Sequence, residues 1–292
     1  MRPRLRRLRG LGLGLAGLVI LAAVWEAYKA LGPANGVIVG GRAVLPRTGD
    51  RAMPHIWDMI GRLGEPVTGR RGEPLWVAVL EACWFSLRIA AAGWLIGVTV
   101  GLGLALLMQR LRLAEAAVLP WVVLSQTVPL IAIAPLVRRW GSQIEIGSFE
   151  WQNEYSVAVI AAYLAFFPVA VGMLRGLKSP DATHLDLMRS YGTGWWATLL
   201  RLRLPASVPY LLPSLRLAAA SAVIGTVVAE VSIGLRGGIG RLIIEYAQSA
   251  GGDPAKSWAP IFGAVAIGLI AAGFVALIGF ALKQYRRAEV PA

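Results

Sequence analysis

Few side chains in this 292-residue chain have the type and spacing for bond-making chemistry. The only cysteine is Cys83 and the only histidines are His55 and His184, too few for an intrachain disulfide or a zinc-type ligand set. No G-x-x-x-x-G-K-[ST] run occurs, so the chain is not expected to bind ATP itself. Gly234–Ile243 (GLRGGIGRLI) is glycine-rich, but no strand precedes it, which weakens a phosphate-cradling reading. What remains is a few polar groups within or beside apolar runs. Glu230 lies near the end of an apolar run, where an ionisable group is a functional candidate by default. Gln126, Thr127 and Pro129 interrupt another apolar run, and Arg88 begins a third. Glu230 reads as a hydrogen-bond anchor at a gate or as a proton carrier, the anchor favoured. Gln126 and Thr127 read as pathway-lining groups or as interhelical packing groups.

The elements that must position these residues are membrane helices. The chain is 57% hydrophobic and 15% charged, with solid apolar runs of the length that crosses a ~30 Å hydrocarbon core. Solid runs, not alternating ones, make it an all-α integral membrane protein of about six transmembrane helices. The first lies within 1–31, behind five arginines in residues 1–9, and is read as uncleaved because no small-x-small site follows. Glu26 and Lys29 read as a solvated helix end. Residues 32–75 are too polar to span, and Met53, Ile56, Trp57, Ile60 and Leu63 recur there at the spacing of an interfacial amphipathic helix. A core over 76–283 carries spans at about 89–108, 116–137, 155–174, 209–233 and 258–282, and 284–292 is a tail. Gly93, Gly97, Gly101 and Ala105 form a small-residue face for close helix packing. Glu81 and Arg88, seven apart, read as an ion pair, with solute contact by Arg88 the alternative. The acidic, aromatic stretch 142–154 reads as an outer loop.

The formal net charge of +13 does not point to nucleic acid, because most of the excess falls on one set of loops. With both termini inside, the inner segments collect the N-terminal arginines, Arg110, Arg112, Arg175, Lys178, Arg189, Arg201, Arg203 and the C-terminal cations. That bias predicts an N-in, C-in topology and puts 181–205 in the cytoplasm.

Within that loop, Leu185–Pro205 reads LDLMRSYGTGWWATLLRLRLP. Asp186 to Tyr191 reads as one short helix stopped at Gly192 and Gly194. Trp195 to Leu204 reads as a second, ended by Pro205, which has no N–H to donate. Leu187, Met188, Trp195 and Trp196 have no lipid to enter there, so a protein partner is their natural host. The loop resembles the EAA-x3-G-x9-I-x-L-P signature of permease subunits of bacterial ABC importers. Asp186, Leu187 and Met188 stand at the acidic triplet, Gly192 at the glycine, and Leu202, Leu204 and Pro205 at the close. QTVPLIAIAPLVRRWG (126–141) resembles the run found in permeases for nitrate, sulfonates, taurine and pyrimidine precursors, while Leu45-Pro46, the VVAE ending at Glu230 and the glycine-rich turn also resemble that group.

The resemblance, over roughly residues 75 to 283, implies a type I ABC importer permease in the bacterial inner membrane. No residue would be catalytic. The loop would be a coupling helix docked on an ATP-binding cassette subunit that holds ATP and Mg. The assembly would contain two permease chains as a homodimer, two ATPase subunits and an extracytoplasmic solute-binding protein, working by alternating access. An ion-coupled secondary transporter using Glu230 and a non-transporting scaffold are the other classes in view.

Overall fold

In lipid every backbone N–H and C=O must find a partner within its own segment, so apolar runs of this length become helices. The structure, a computed structural model, describes residues 3–40, 42–68 and 72–282; the expected tail at 284–292 lies outside them. Five helical stretches are long and apolar enough to cross a membrane: Gly12–Leu31, Leu75–Arg110, Asn153–Leu177, Trp195–Ile233 and Ala255–Ala281. The third expected span, 116–137, is not one straight helix. It is a pair, Leu113–Ser125 and Leu130–Gly141, bent by 103° across a four-residue break. Counting that pair once gives up to six crossings.

In chain order the elements are α1 (Pro3–Leu31), β1 (Val37–Val39), β2 (Arg42–Leu45), α2 (Ile56–Leu63), α3 (Leu75–Arg110), α4 (Arg112–Ser125) and α5 (Leu130–Gly141). There follow β3 (Glu145–Ile146), β4 (Phe149–Glu150), α6 (Asn153–Leu177), α7 (Ala182–Ser190), α8 (Trp195–Thr198), α9 (Leu204–Ile233), α10 (Ile239–Gln248) and α11 (Ala259–Ala281). The strands pair antiparallel, β1 with β2 and β3 with β4. The described residues form two compact units. One comprises the chain up to Val79 with Ile243–Phe262, the other Leu80–Leu242 with the described residues from Gly263 on.

In the first unit the polar groups at the end of α1 are not merely solvated. Glu26 accepts the Ile56 N–H (2.9 Å) at the start of α2 and sits 2.7 Å from His55 Nδ1, while His55 stacks on Trp57. Lys29 donates to Asp50 (2.6 Å) and to the Met53 carbonyl (2.6 Å). The Lys29 ammonium holds the Asp50 carboxyl below its ordinary value. Both side chains thus tie α1 to the segment 48–56, which corrects the reading of a free helix end. The reason is distance in sequence: partners some 20 to 30 residues away leave no periodic trace. Helix α2 buries Met59, which lies outside the expected apolar set, and leaves Trp57 and Ile60 of that set exposed.

In the second unit α6 and α9 pack together along an extensive interface, and α6 is the most buried of the candidate spans. Helix α3 meets α6 through its glycine face. A β-carbon at Gly97 would lie 2.7 Å from Ala165 Cβ, and one at Gly101 would lie 2.7 Å from the Phe166 carbonyl oxygen. Side chains are absent where the backbones come closest, which is what small residues every fourth position achieve. Ala161, Ala165, Val169, Leu215, Ala218 and Ala222 continue this small-residue core between α6 and α9, with Val275 of α11 closing it.

Candidate functional site: the polar loop, the broken helix and the buried carboxylate

The loop after α6 is tied firmly at its base and bare at its tip. Gly176 lets Ser207 of α9 approach (a β-carbon there would be 2.8 Å from Ser207 Cβ), and Arg203 donates to the Leu177 carbonyl (2.9 Å). Lys178 pairs with Glu115 at the start of α4. Helix α7 has no buried residue. Gly192 ends its turn at φ +66°, a left-handed value that a side chain disfavours, and Thr193 accepts the turnover by donating its Oγ1–H to the Met188 carbonyl (2.7 Å). Leu187, Tyr191 and Trp196 are exposed, and Met188 is half-buried. Asp186 forms an exposed pair with Arg189 (3.0 Å) on its own helix.

Two expectations about the loop change. Trp195 is not wholly exposed: it is half-buried, packed on the cluster that includes Ala105, Met108 and Leu199, with the Arg110 guanidinium 4.5 Å from its ring centre. Pro205 does not end a helix either. Trp195 to Ile233 is one helical run, in which a π turn over Leu199–Arg203 hands over to α9. Pro205 directly follows the π turn, in which the Leu204 N–H reaches back to the Leu199 carbonyl, so the run continues past a residue that has no N–H of its own. Leu202, Leu204 and Pro205 are half-buried at this joint.

The break between α4 and α5 holds Gln126, Thr127 and Pro129. Freed carbonyls at membrane depth need donors, and hydroxyls supply them. Ser125 donates to Val122 (2.8 Å), Thr127 to Leu124 (2.8 Å), and Tyr163 of α6 to Ser125. Pro129 starts α5 as its N-terminal flanking residue. The Thr127 hydroxyl is therefore spent on its own backbone, while Gln126 is half-buried with its amide against Ser125 Oγ (3.2 Å). Neither Tyr163 nor the role of Ser125 was foreseen; the S-Q-T polar triplet was the one available signal.

Glu230 is fully buried. Ser86 of α3 donates to its Oε1 (2.6 Å), and the Gly240 N–H donates to Oε2 (2.8 Å). Ser86 in turn accepts the Ile239 N–H (2.8 Å). The carboxylate and the serine together satisfy the first N–H groups of α10, where a negative group is also favoured by the helix dipole. Gly240 leaves room for this: a β-carbon there would be 2.9 Å from Glu230 Cβ. Ser86, missed in the sequence, carries no local mark of this role.

Arg88 does not pair with Glu81, which is exposed. It donates to both carboxylate oxygens of Glu154 (2.8 Å each) in the first turn of α6 and lies over the Phe85 ring. Seven positions are two helical turns apart, beyond ion-pair reach; only three- and four-residue spacings are neighbours. The structure thus keeps Arg88 and Glu230 at separate ties, and neither meets Gln126 or the polar loop. Among the described residues no group of three or more His, Cys, Asp or Glu side chains is placed to hold a metal ion.

Residues 97–285, which contain the loop, the break and Glu230, match the family model of the binding-protein-dependent transport system inner membrane component. The chain belongs to this family. The permease is 32% identical over 66% of its length to 71% of a formylaminopyrimidine transport permease of Halalkalibacterium halodurans. It is 28% identical over 79% of its length to 83% of a putative aliphatic sulfonates transport permease of Bacillus subtilis. A solved structure of an amino acid ABC transporter with histidines covers 73% of the permease with 95% of its own chain, at a TM-score of 0.53 and 17% identity, a likeness of fold. The permease is accordingly a multi-pass inner-membrane transport subunit of an ABC importer, and an ion-coupled secondary mechanism is not favoured.

Proposed function

We propose that this permease lines the pathway for a small sulfonate or pyrimidine-type solute and is driven by a separate ATPase docked on residues 181–205. In this reading the termini and the loop face the cytoplasm. Two identical permease chains assemble with two ATPase subunits that bind ATP and Mg, and an extracytoplasmic binding protein delivers the solute. ATP binding moves the loops, the helices rock to open outward, and hydrolysis resets them inward.

The observation that carries the reading is a helix, α7, without a buried residue yet with Leu187, Tyr191 and Trp196 exposed around it. Apolar groups held out on a loop whose base is fastened at Gly176, Arg203 and Lys178 need a protein surface to cover them. The solute classes come from the names of the two relatives. Glu230 is an anchor in this scheme, since both its oxygens already accept hydrogen bonds.

The test is assembly. Leu187→Asp and Gly192→Asp are expected to abolish co-elution of the permease with its cognate ATPase and to stop ATP-dependent uptake, with the permease itself still inserted. Unchanged co-elution with unchanged uptake in both variants would refute docking at this loop.

A further inference from the structure

A cavity of about 390 Å3 opens where the ends of α5 and α9 meet the start of α6. Its polar lining is Arg138, Arg139, Ser142, Asn153 and Ser232, and it includes no acid. Carbonyl ends of two helices converge here, and Arg138 answers them. It donates Nη1 to the Ile233 carbonyl (2.9 Å) and Nε to Asn153 Oδ1 (3.1 Å). That second bond fixes the Asn153 amide so that its NH2 group is left to donate elsewhere. Arg139 has no acidic or carbonyl partner among the described residues, and its side chain is exposed to the cavity. By contrast Arg88 is neutralised by Glu154. The cavity therefore presents the Arg139 guanidinium, the remaining Arg138 N–H groups and the Asn153 amide. All are donors, two of them cationic. The Ser142 and Ser232 hydroxyls already donate to backbone carbonyls.

Resting on the importer reading above, we propose that this cavity receives the oxyanion group of the transported solute, a sulfonate, with Arg139 as the principal contact. A neutral heterocycle gains little from two guanidinium groups, and the only side-chain acceptors left to it are the Ser142 and Ser232 hydroxyl oxygens and the Asn153 carbonyl already bonded to Arg138. A sulfonate finds a planar fork that matches its oxygens. Arg138 is a positioning residue that orients Asn153.

The same donor set suits the phosphate of a lipid headgroup, so the test separates the two. Full-length permease in phosphatidylcholine nanodiscs is titrated with ethanesulfonate and with a neutral formylaminopyrimidine. Saturable ethanesulfonate binding, weakened about tenfold or more in Arg139→Gln and partly restored in Arg139→Lys, is expected. The neutral probe should be indifferent to both changes. Absence of saturable binding, or equal binding by wild type and Arg139→Gln, overturns the site. Loss of ethanesulfonate binding when phosphatidylglycerol replaces part of the phosphatidylcholine at constant ionic strength gives the cavity to a headgroup, and also overturns it. ATP- and binding-protein-dependent uptake in the reconstituted transporter is scored separately. If uptake persists while the nanodisc arm fails, the site is wrong and the importer reading stands; if binding persists without ATP-dependent uptake, the reverse holds.

Discussion

A carboxylate with no solvent exposure survives only if donors replace the water it has lost. For Glu230 those donors are Ser86 and the Gly240 N–H, and Ser86 also takes the Ile239 N–H. Ser86→Ala leaves one acceptor and one N–H short of partners at once. It is expected to destabilise the fold by about 1–3 kcal/mol, read as a lower melting temperature of the purified protein. Thr99→Ala serves as the control: that exposed hydroxyl bonds only to Leu95 of its own helix, so its loss should be nearly silent. Equal melting of the two variants would mean that Ser86 does not hold the start of α10. At this scale the sequence shows which residues are unusual but not whom they meet. Glu230 stands out as an acid among valines and alanines, whereas its partner lies 144 positions away. Arg88 stands out likewise, and its partner Glu154 sits 66 positions away on another helix.

Helix contacts show the converse, since periodic patterns do survive in sequence. Gly93, Gly97 and Gly101 predict a close helix approach, and their partner is α6. Gly97→Val would drive a branched side chain into Ala165 and the Ala162 carbonyl, parting α3 from α6. Little folded protein is expected in the membrane fraction, measured by monodisperse yield. Gly103, on the other side of α3, has nothing within 4 Å of a β-carbon, so Gly103→Ala should match or slightly exceed wild type. Similar yields from both variants would contradict this packing. The bend between α4 and α5 was only half legible. Pro120, Pro129 and Pro135 announce an interruption, yet Pro120 and Pro135 lie inside helices and only Pro129 marks the break. Position is decided by where Ser125, Thr127 and Tyr163 can serve the freed carbonyls, and Tyr163 comes from another helix. Pro205 misled for a related reason: a π turn just before it lets the helical run continue past a residue with no N–H, and nothing in the local sequence announces that turn.

For the whole molecule, the membrane class and the family were legible from solid apolar runs and two motifs, while the sidedness rests on charge alone. The lone cysteine makes sidedness measurable. In a Cys83→Ser background, Ser148→Cys at the β3–β4 turn should react with a membrane-impermeant maleimide on spheroplasts. Thr193→Cys should react only in inverted vesicles. Labelling of both from one side would overturn the N-in, C-in proposal. That arrangement gives a mechanical meaning to the continuous run from Trp195 to Ile233. Its 39 residues, at 1.5 Å each, make about 58 Å of helix measured along its path, nearly twice the ~30 Å hydrocarbon thickness. One end begins at the Gly192 turn and the other ends just beyond the Glu230 tie to α10. In the proposed cycle, a tilt of the run by roughly 10° about its middle would swing each end by about 5 Å. Under the docking proposal, a push on the loop would reach the Glu230 end through this one continuous run.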